Sequence, residues 1–219
     1  MTTPTTIDTE TELSAVNTIL GAIGQSPVTT LGTLTTDASS SSEVVNTFEN
    51  PEIAFIYNLL RESNIDIQNE GWSFNYDNNV KQSPDSVTKE IVLDSDILRI
   101  DSKDAHDRRT NYVRRNGKLY NKITDSYTFD GDIYVNVIRL YNFEDIPSAF
   151  KRYITYKAAG RAATQLVTNP QLVQLLAVQE QMARASCMEY ECNQGDYNYL
   201  GTPDGSVYSS YKPYRALQR

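Results

Sequence analysis

The sequence predicts an α+β fold: a four-helix bundle, an inserted β-sheet domain that is mostly antiparallel, and an extended C-terminal arm. Three observations carry this. Apolar residues recur at helical spacing near the N-terminus and again from Ile146 to Asn193. Between them, from Trp72, short runs with a period near two are separated by polar turns. After Asn193 no periodic apolar face remains. The expected domains are therefore a discontinuous helical one (1–70 and 146–194), a sheet insertion (71–145) and an arm (195–219).

Residues 1–10 are Thr-rich. Leu13, Val16, Ile19, Leu20 and Ile23 then form one apolar stripe, capped by Thr9 or Thr11, with Glu12 able to complete a capping box from Thr9. Gly24 suits the exit and Pro27 guards it. The polar run 29–47 reads as a surface loop. A second helix is expected over 51–70, because Asn50 is a good N-cap, Pro51 a good first residue and Glu52 a good first-turn charge. Ile53, Ile56, Leu60 and Ile67 build its buried side, with Tyr57 and Leu59 beside it, and Gly71 stops it.

The strand candidates are WSFNY, EIVL, ILRID, NYVRRNGKLYN, YTF and DIYVNVIRLYNF. Asn116-Gly117 is the strongest hairpin signal, and Asp130-Gly131 is a second. Ile146–Asn193 reads as two helices separated at Asn169-Pro170. Phe150, Ile154, Ala158, Ala162 and Leu166 line the first; Leu172, Leu175, Leu176, Met182 and Ala183 line the second. The small residues 158–163 let a partner helix approach closely.

The chain has 219 residues and a formal net charge of −8. Residues 1–70 hold ten acids and one base, Arg61, a net of −9; residues 71–219 hold eighteen acids and nineteen bases, a net of +1. Such a balance argues against tight general DNA binding, which depends on phosphate neutralisation. No apolar run is long enough to span a membrane, and the N-terminus lacks signal-peptide regions. Cys187 and Cys192 form neither a disulfide framework nor a zinc pattern, which fits an intracellular assembly site.

The search for chemistry finds no specific constellation. Phosphate-binding Gly loops, nucleophile elbows and His-x-x-x-His pairs are missing from the sequence, so no cofactor or metal is expected. His106, the single histidine, sits among Asp104 and Asp107 in a polar stretch and reads as a solvated loop residue. Asp94, Asp96 and Asp101 read as strand-edge charges; a calcium site would need denser oxygen ligands. Two basic clusters remain. Residues 99–122 have a net of +5 and include Arg108, Arg109, Arg114 and Arg115. Residues 146–179 carry Lys151, Arg152, Lys157 and Arg161 with no acid. Each charge alone suits solubility; together they suit contact with a neighbouring subunit's acidic helices. In the arm, Tyr197, Tyr199, Tyr208, Tyr211 and Tyr214, with Lys212 and Arg215, suit a segment that orders on a partner, the alternative being a disordered tail.

Four segments in order carry a resemblance: ELSAVNTILGAIGQSPVTTL, LLRESNIDIQNEGWSFN, FEDIPSAFKRYITYKAAGRAATQL and EQMARASCMEYECNQGDYNYL. The sequence resembles the tail tubular protein A family, the head-to-tail adaptor of short-tailed bacteriophages. The resemblance implies a non-enzymatic virion protein assembled in the host cytoplasm. It implies a twelvefold ring beneath the portal protein that continues the DNA channel and binds the tail nozzle. Tail fibres would attach near the adaptor–nozzle junction. The helical domain and the C-terminal portion would engage the portal, and the sheet domain would face the tail. Enclosed DNA would not be read by sequence. Two other classes compete: a cell-envelope hydrolase using His106 and nearby acids, and a DNA-binding module using 99–122. Neither has a motif.

Overall fold

The computed structural model describes residues 10–36, 44–47, 50–102, 111–167 and 169–195. The class is α+β, with four helices and small antiparallel sheets. The described residues divide into two compact units. One gathers those up to Ile67 with Asn142–Tyr190; the other gathers Gln68–Tyr141 with those from Glu191.

The first unit is built on α1 (Glu12–Ala22), α2 (Pro51–Gln68), α3 (Ser148–Ala162) and α4 (Pro170–Gly195), with Gln68, the last residue of α2, and α4 from Glu191 counted in the other unit. Thr11 caps α1 by accepting from the Ser14 N–H at 3.3 Å. Gly24 follows at φ +79°, a left-handed exit that glycine adopts without strain. Asn50 caps α2 through its Oδ1, which accepts from the Glu52 N–H at 2.9 Å. Asn169 caps α4, accepting from the Gln171 N–H at 3.0 Å. Pro147 stands one place outside α3, where its carbonyl accepts from Phe150 and Lys151.

Val16, Ile19 and Leu20 of α1, Ile53, Ile56, Leu59 and Leu60 of α2, and Phe150, Ile154, Ala158 and Ala162 of α3 are all buried. Polar contacts set the pairing of the helices. The Tyr57 hydroxyl donates to Glu12 at 3.0 Å. Arg161 donates to Ser63 and Asp66. On α4, Arg184 donates to the Tyr153 hydroxyl at 2.9 Å, and the Cys187 thiol donates to the Ala149 carbonyl at 3.3 Å. Lys151, fully buried, donates to the Glu144 carbonyl in the 3-10 turn Phe143–Asp145 at 2.8 Å.

Two expectations fail in this unit. The run 29–47 is not all loop: β1 (Thr33–Thr36) pairs antiparallel with β2 (Val44–Thr47). Their Thr and Val residues favour a pleated strand, a signal hidden by the surrounding serines. Leu166, expected in the core, lies half exposed in a π-helical turn, Ala163–Val167, that widens the end of α3.

The second unit holds β3 (Tyr76–Gln82), β4 (Ile97–Ser102), β5 (Tyr112–Arg115), β6 (Lys118–Asn121) and β7 (Ile133–Arg139). One sheet has the order β3-β7-β4, all antiparallel; β5 and β6 form a separate hairpin. Asn116 (φ +51°) and Gly117 (φ +71°) supply the two left-handed positions of that hairpin's turn. Val135 and Val137 of the central strand meet Ile91, Leu93, Ile97, Leu119 and Phe129 in one core.

The strand expected at WSFNY starts instead at Tyr76, because 73–75 form a turn. Asn75 builds that turn: its Oδ1 accepts from the Trp72 N–H at 2.8 Å, and its amide donates to the Gln68 and Arg139 carbonyls. Strand β3 is polar yet holds its place through a bulge at Asn79 (φ +58°), whose N–H donates to Asn136 Oδ1 at 3.0 Å. Asp130-Gly131 does not make a hairpin. Thr128 bridges Glu90, and β7 pairs with β3 and β4, both remote in sequence. EIVL and YTF contribute only isolated bridges.

Gln68 closes the insertion where the chain enters and leaves. Its side-chain amide donates to the Tyr141 carbonyl at 2.9 Å and its Oε1 accepts from the Tyr141 N–H at 2.8 Å. The last turn of α4 joins the same unit through Glu191, which accepts from the Ser73 N–H at 3.0 Å and hydroxyl at 2.8 Å.

Candidate interaction surfaces

Among the described residues, no group of three or more His, Cys, Asp or Glu side chains is set to hold a metal ion. No described helix is long and apolar enough to cross a membrane. Asp94 and Asp96 serve Arg139 instead, at 3.7 and 2.7 Å, and Asp77 receives its Nε at 3.0 Å. The Asp96 hydrogen bond leads the causes that raise the Arg139 pKa. One guanidinium thus ties the central strand to β3 and to the entry of β4. Two carboxylates on this unit are held in their charged form. Asp85 is lowered by the backbone N–H groups of Thr88 and Val87, and Asp132 by the Lys81 ammonium. Both sit at turns and serve local geometry.

Arg114 and Arg115 lie on β5 with exposed side chains. Arg114 donates to the Ile97 carbonyl at 2.7 Å, and Arg115 stacks over the Tyr120 ring at 4.1 Å. The first contact ties the hairpin to the start of β4, and the second holds the Arg115 guanidinium against the hairpin itself. Arg108 and Arg109 lie outside the described residues, as does His106. So do the arm residues Tyr197, Tyr199, Tyr208, Tyr211, Tyr214, Lys212 and Arg215.

The structure brings forward a surface that periodicity alone did not separate from the core. Helix α4 buries Leu176 (4 % exposed), Ala183 and Cys187. Leu175, Val178 and Met182 are 65, 49 and 67 % exposed, and Ala185 is exposed too. At about 100° per residue the two sets face directions about 140° apart on the helix. Leu175 and Met182, expected in the core, therefore point outward. The signal was present in the Leu175-Leu176 pair, since neighbouring residues on a helix cannot share a face.

The outward face borders a groove of about 380 Å³ between α3 and α4, lined by Ser148, Ala149, Arg152, Tyr156, Met182 and Ser186 among others. Leu166 and Val167 in the π turn are exposed as well. Residues 162–179 contain no charged side chain at all, in a chain that is 22 % charged.

No curated protein matches the chain. A family model described as tail tubular protein matches residues 13–197, which takes in both the helical unit and the sheet unit. The chain belongs to the tail tubular protein family, whose members are structural components of the phage tail.

Proposed function

We propose that this chain is the ring-forming head-to-tail adaptor of a short-tailed phage, joining the portal protein to the tail nozzle and continuing the DNA channel. The observation that supports the reading is the family match across 13–197; the choice of the A type rests on the resemblance of the four segments alone. The bundle of α1–α4 would form the ring body, twelve copies around the axis, with tail fibres attaching near the nozzle junction. Assembly would take place in the host cytoplasm. The arm, 195–219, would bind the portal through Tyr208, Tyr211 and Tyr214, with Tyr197, Tyr199, Lys212 and Arg215 beside them. A Tyr ring offers large contact area with few rotors to freeze, and its hydroxyl finds partners at a wet rim. Arg108, Arg109, Arg114 and Arg115 would meet the acidic first helices of the next copy, since a head-to-tail ring joins two different patches.

The test is a pull-down with portal protein, followed by negative-stain symmetry of the complex. The expected result is a twelvefold ring on the portal. A chain lacking 203–219 should melt like the full chain yet bind portal weakly. Absence of portal binding by the full chain overturns the reading. Full binding by the truncated chain overturns the arm's role.

A further inference from the structure

The tip of the β5–β6 hairpin carries the one Asn-Gly pair of the chain. Asparagine is among the thermally labile residues. Its weakness is internal: the backbone nitrogen of the next residue attacks its side-chain carboxamide. A side chain on that next residue obstructs the attack. Gly117 has none, and the space a Cβ would fill is empty to 4 Å. Asn116 itself is exposed. Other asparagines are less open to this chemistry. Asn50 and Asn169 precede prolines, whose nitrogen has no proton to lose. Asn75 and Asn121 precede Tyr76 and Lys122, and their Oδ1 atoms accept from backbone N–H groups.

The turn holds the reaction back. Asn116 is left-handed at φ +51°, and in that region ψ is about +47°. The Gly117 nitrogen then stands nearly opposite the Asn116 Cβ across the Cα–C bond. Ring closure needs the two on the same side, so the turn must open first. The pairing of Arg115 with Lys118 keeps it closed, as does the Gly117 carbonyl, which accepts from the Leu93 N–H at 2.9 Å. Once it opens, the Gly117 nitrogen loses its proton to hydroxide and bonds to Asn116 Cγ. The carboxamide nitrogen leaves as ammonia, taking a proton from water. Water then opens the cyclic imide. Breaking the new N–Cγ bond leaves an ordinary aspartate. Breaking the bond to the main-chain carbonyl carbon leaves an isoaspartate, which lengthens the backbone. Aspartate also tolerates the left-handed region, so the first product closes the same turn. The second does not fit a two-residue turn. It puts β6 out of step with β5 and draws the Leu119 N–H from the Ile91 carbonyl, which it meets at 2.9 Å. We propose that Asn116 is a self-modification site gated by the β5–β6 turn, protected while the hairpin is closed, reactive once it opens, and locked open by the isoaspartate product.

The full chain, held at mildly alkaline pH with and without unfolding concentrations of urea, then digested and mapped by mass, tests it. In urea the peptide containing Asn116 should gain the mass of water less that of ammonia before any other asparagine peptide does. In buffer the same gain should be slower by about tenfold or more, because the reaction waits on local opening. Arg115→Ala removes the stack on the Tyr120 ring and should speed the gain in buffer. Asn116→Asp supplies the first product directly and should melt like the parent. The isoaspartate fraction, separated and returned to buffer, should melt lower. Equal rates with and without urea overturn the gate. An earlier gain at another asparagine in urea, or none at Asn116, overturns the site. Aspartate and isoaspartate fractions that melt alike overturn the locking.

Discussion

Replacing Gly71 by Ala separates backbone strain from steric conflict, because Gly117 provides a matched control in the same unit. Both glycines are left-handed, at φ +81° and +71°. Placing an L side chain there costs about 1–2 kcal/mol. In both cases about 0.4–1 kcal/mol returns from the stiffer unfolded chain. At Gly117 a new Cβ meets nothing within 4 Å. At Gly71 it would stand 2.6 Å from Ile138 Cδ1, a side chain almost wholly buried in the sheet unit. Ile138 must then leave its rotamer or the strand must shift, at about 1–3 kcal/mol for overpacking. Gly117→Ala should therefore lose about 1 kcal/mol, and Gly71→Ala about 2–4 kcal/mol. Urea unfolding read by the fluorescence of Trp72, the single tryptophan, measures both. Equal losses at the two sites would refute the steric argument. A large loss at Gly117 alone would refute the reading of its turn.

Four further outcomes are expected. Leu176→Ala should lose about 2–5 kcal/mol as a buried aliphatic, while Leu175→Ala stays within about 0.5 kcal/mol; thermal melts of the two settle which face of α4 is inside. Gln68→Ala strips partners from the Tyr141 N–H and carbonyl and should lose about 2–4 kcal/mol in urea unfolding. Burial first, then the Glu12 charge and hydrogen bond, raise the Tyr57 pKa above its ordinary 10.0. The neutral phenol is the favoured folded form, so its contribution is complete below pH 10 and disappears as pH rises through the raised value. Tyr57→Phe should lose about 0.5–1 kcal/mol at neutral pH, and the gap to the parent should close in an alkaline stability series. Charge reversal at Arg114 and Arg115 should weaken ring formation most at low salt, where screening is least; assembly unchanged across a salt series would count against it.

The helix starts were legible because capping chemistry is local. Asn50 accepts from the N–H two residues on, as its sequence context suggested, and Asn169 does the same where the sequence reading saw only the break before Pro170. The Asn116-Gly117 turn was legible for the same reason: two adjacent left-handed positions need those residues. Strand β3 was not, because its pairing depends on Asn136, more than fifty positions away, replacing a ladder bond at the Asn79 bulge. The neighbours of β7 were equally hidden, since turn signals report only adjacent pairing. On the candidate surface, periodicity found the apolar residues of α4 but could not divide them. Leu176 and Leu175 have the same chemistry, and only the placement of α3 says which one is covered.

The order in which the ribosome delivers these residues has a consequence. Helices α1 and α2 appear early, yet α3, against which α1 packs, follows the whole of Gln68–Tyr141. At about 5–20 residues per second the apolar stripe of Val16, Ile19 and Leu20 waits several seconds for its cover. The sheet emerges as one uninterrupted stretch and is free to fold in that interval. During the wait, the nascent first segment carries ten acids against one base in residues 1–70. Strong like charge keeps half-made neighbours on a polysome apart. The acidity of this segment thus keeps unfinished chains apart while the apolar stripe waits for its cover.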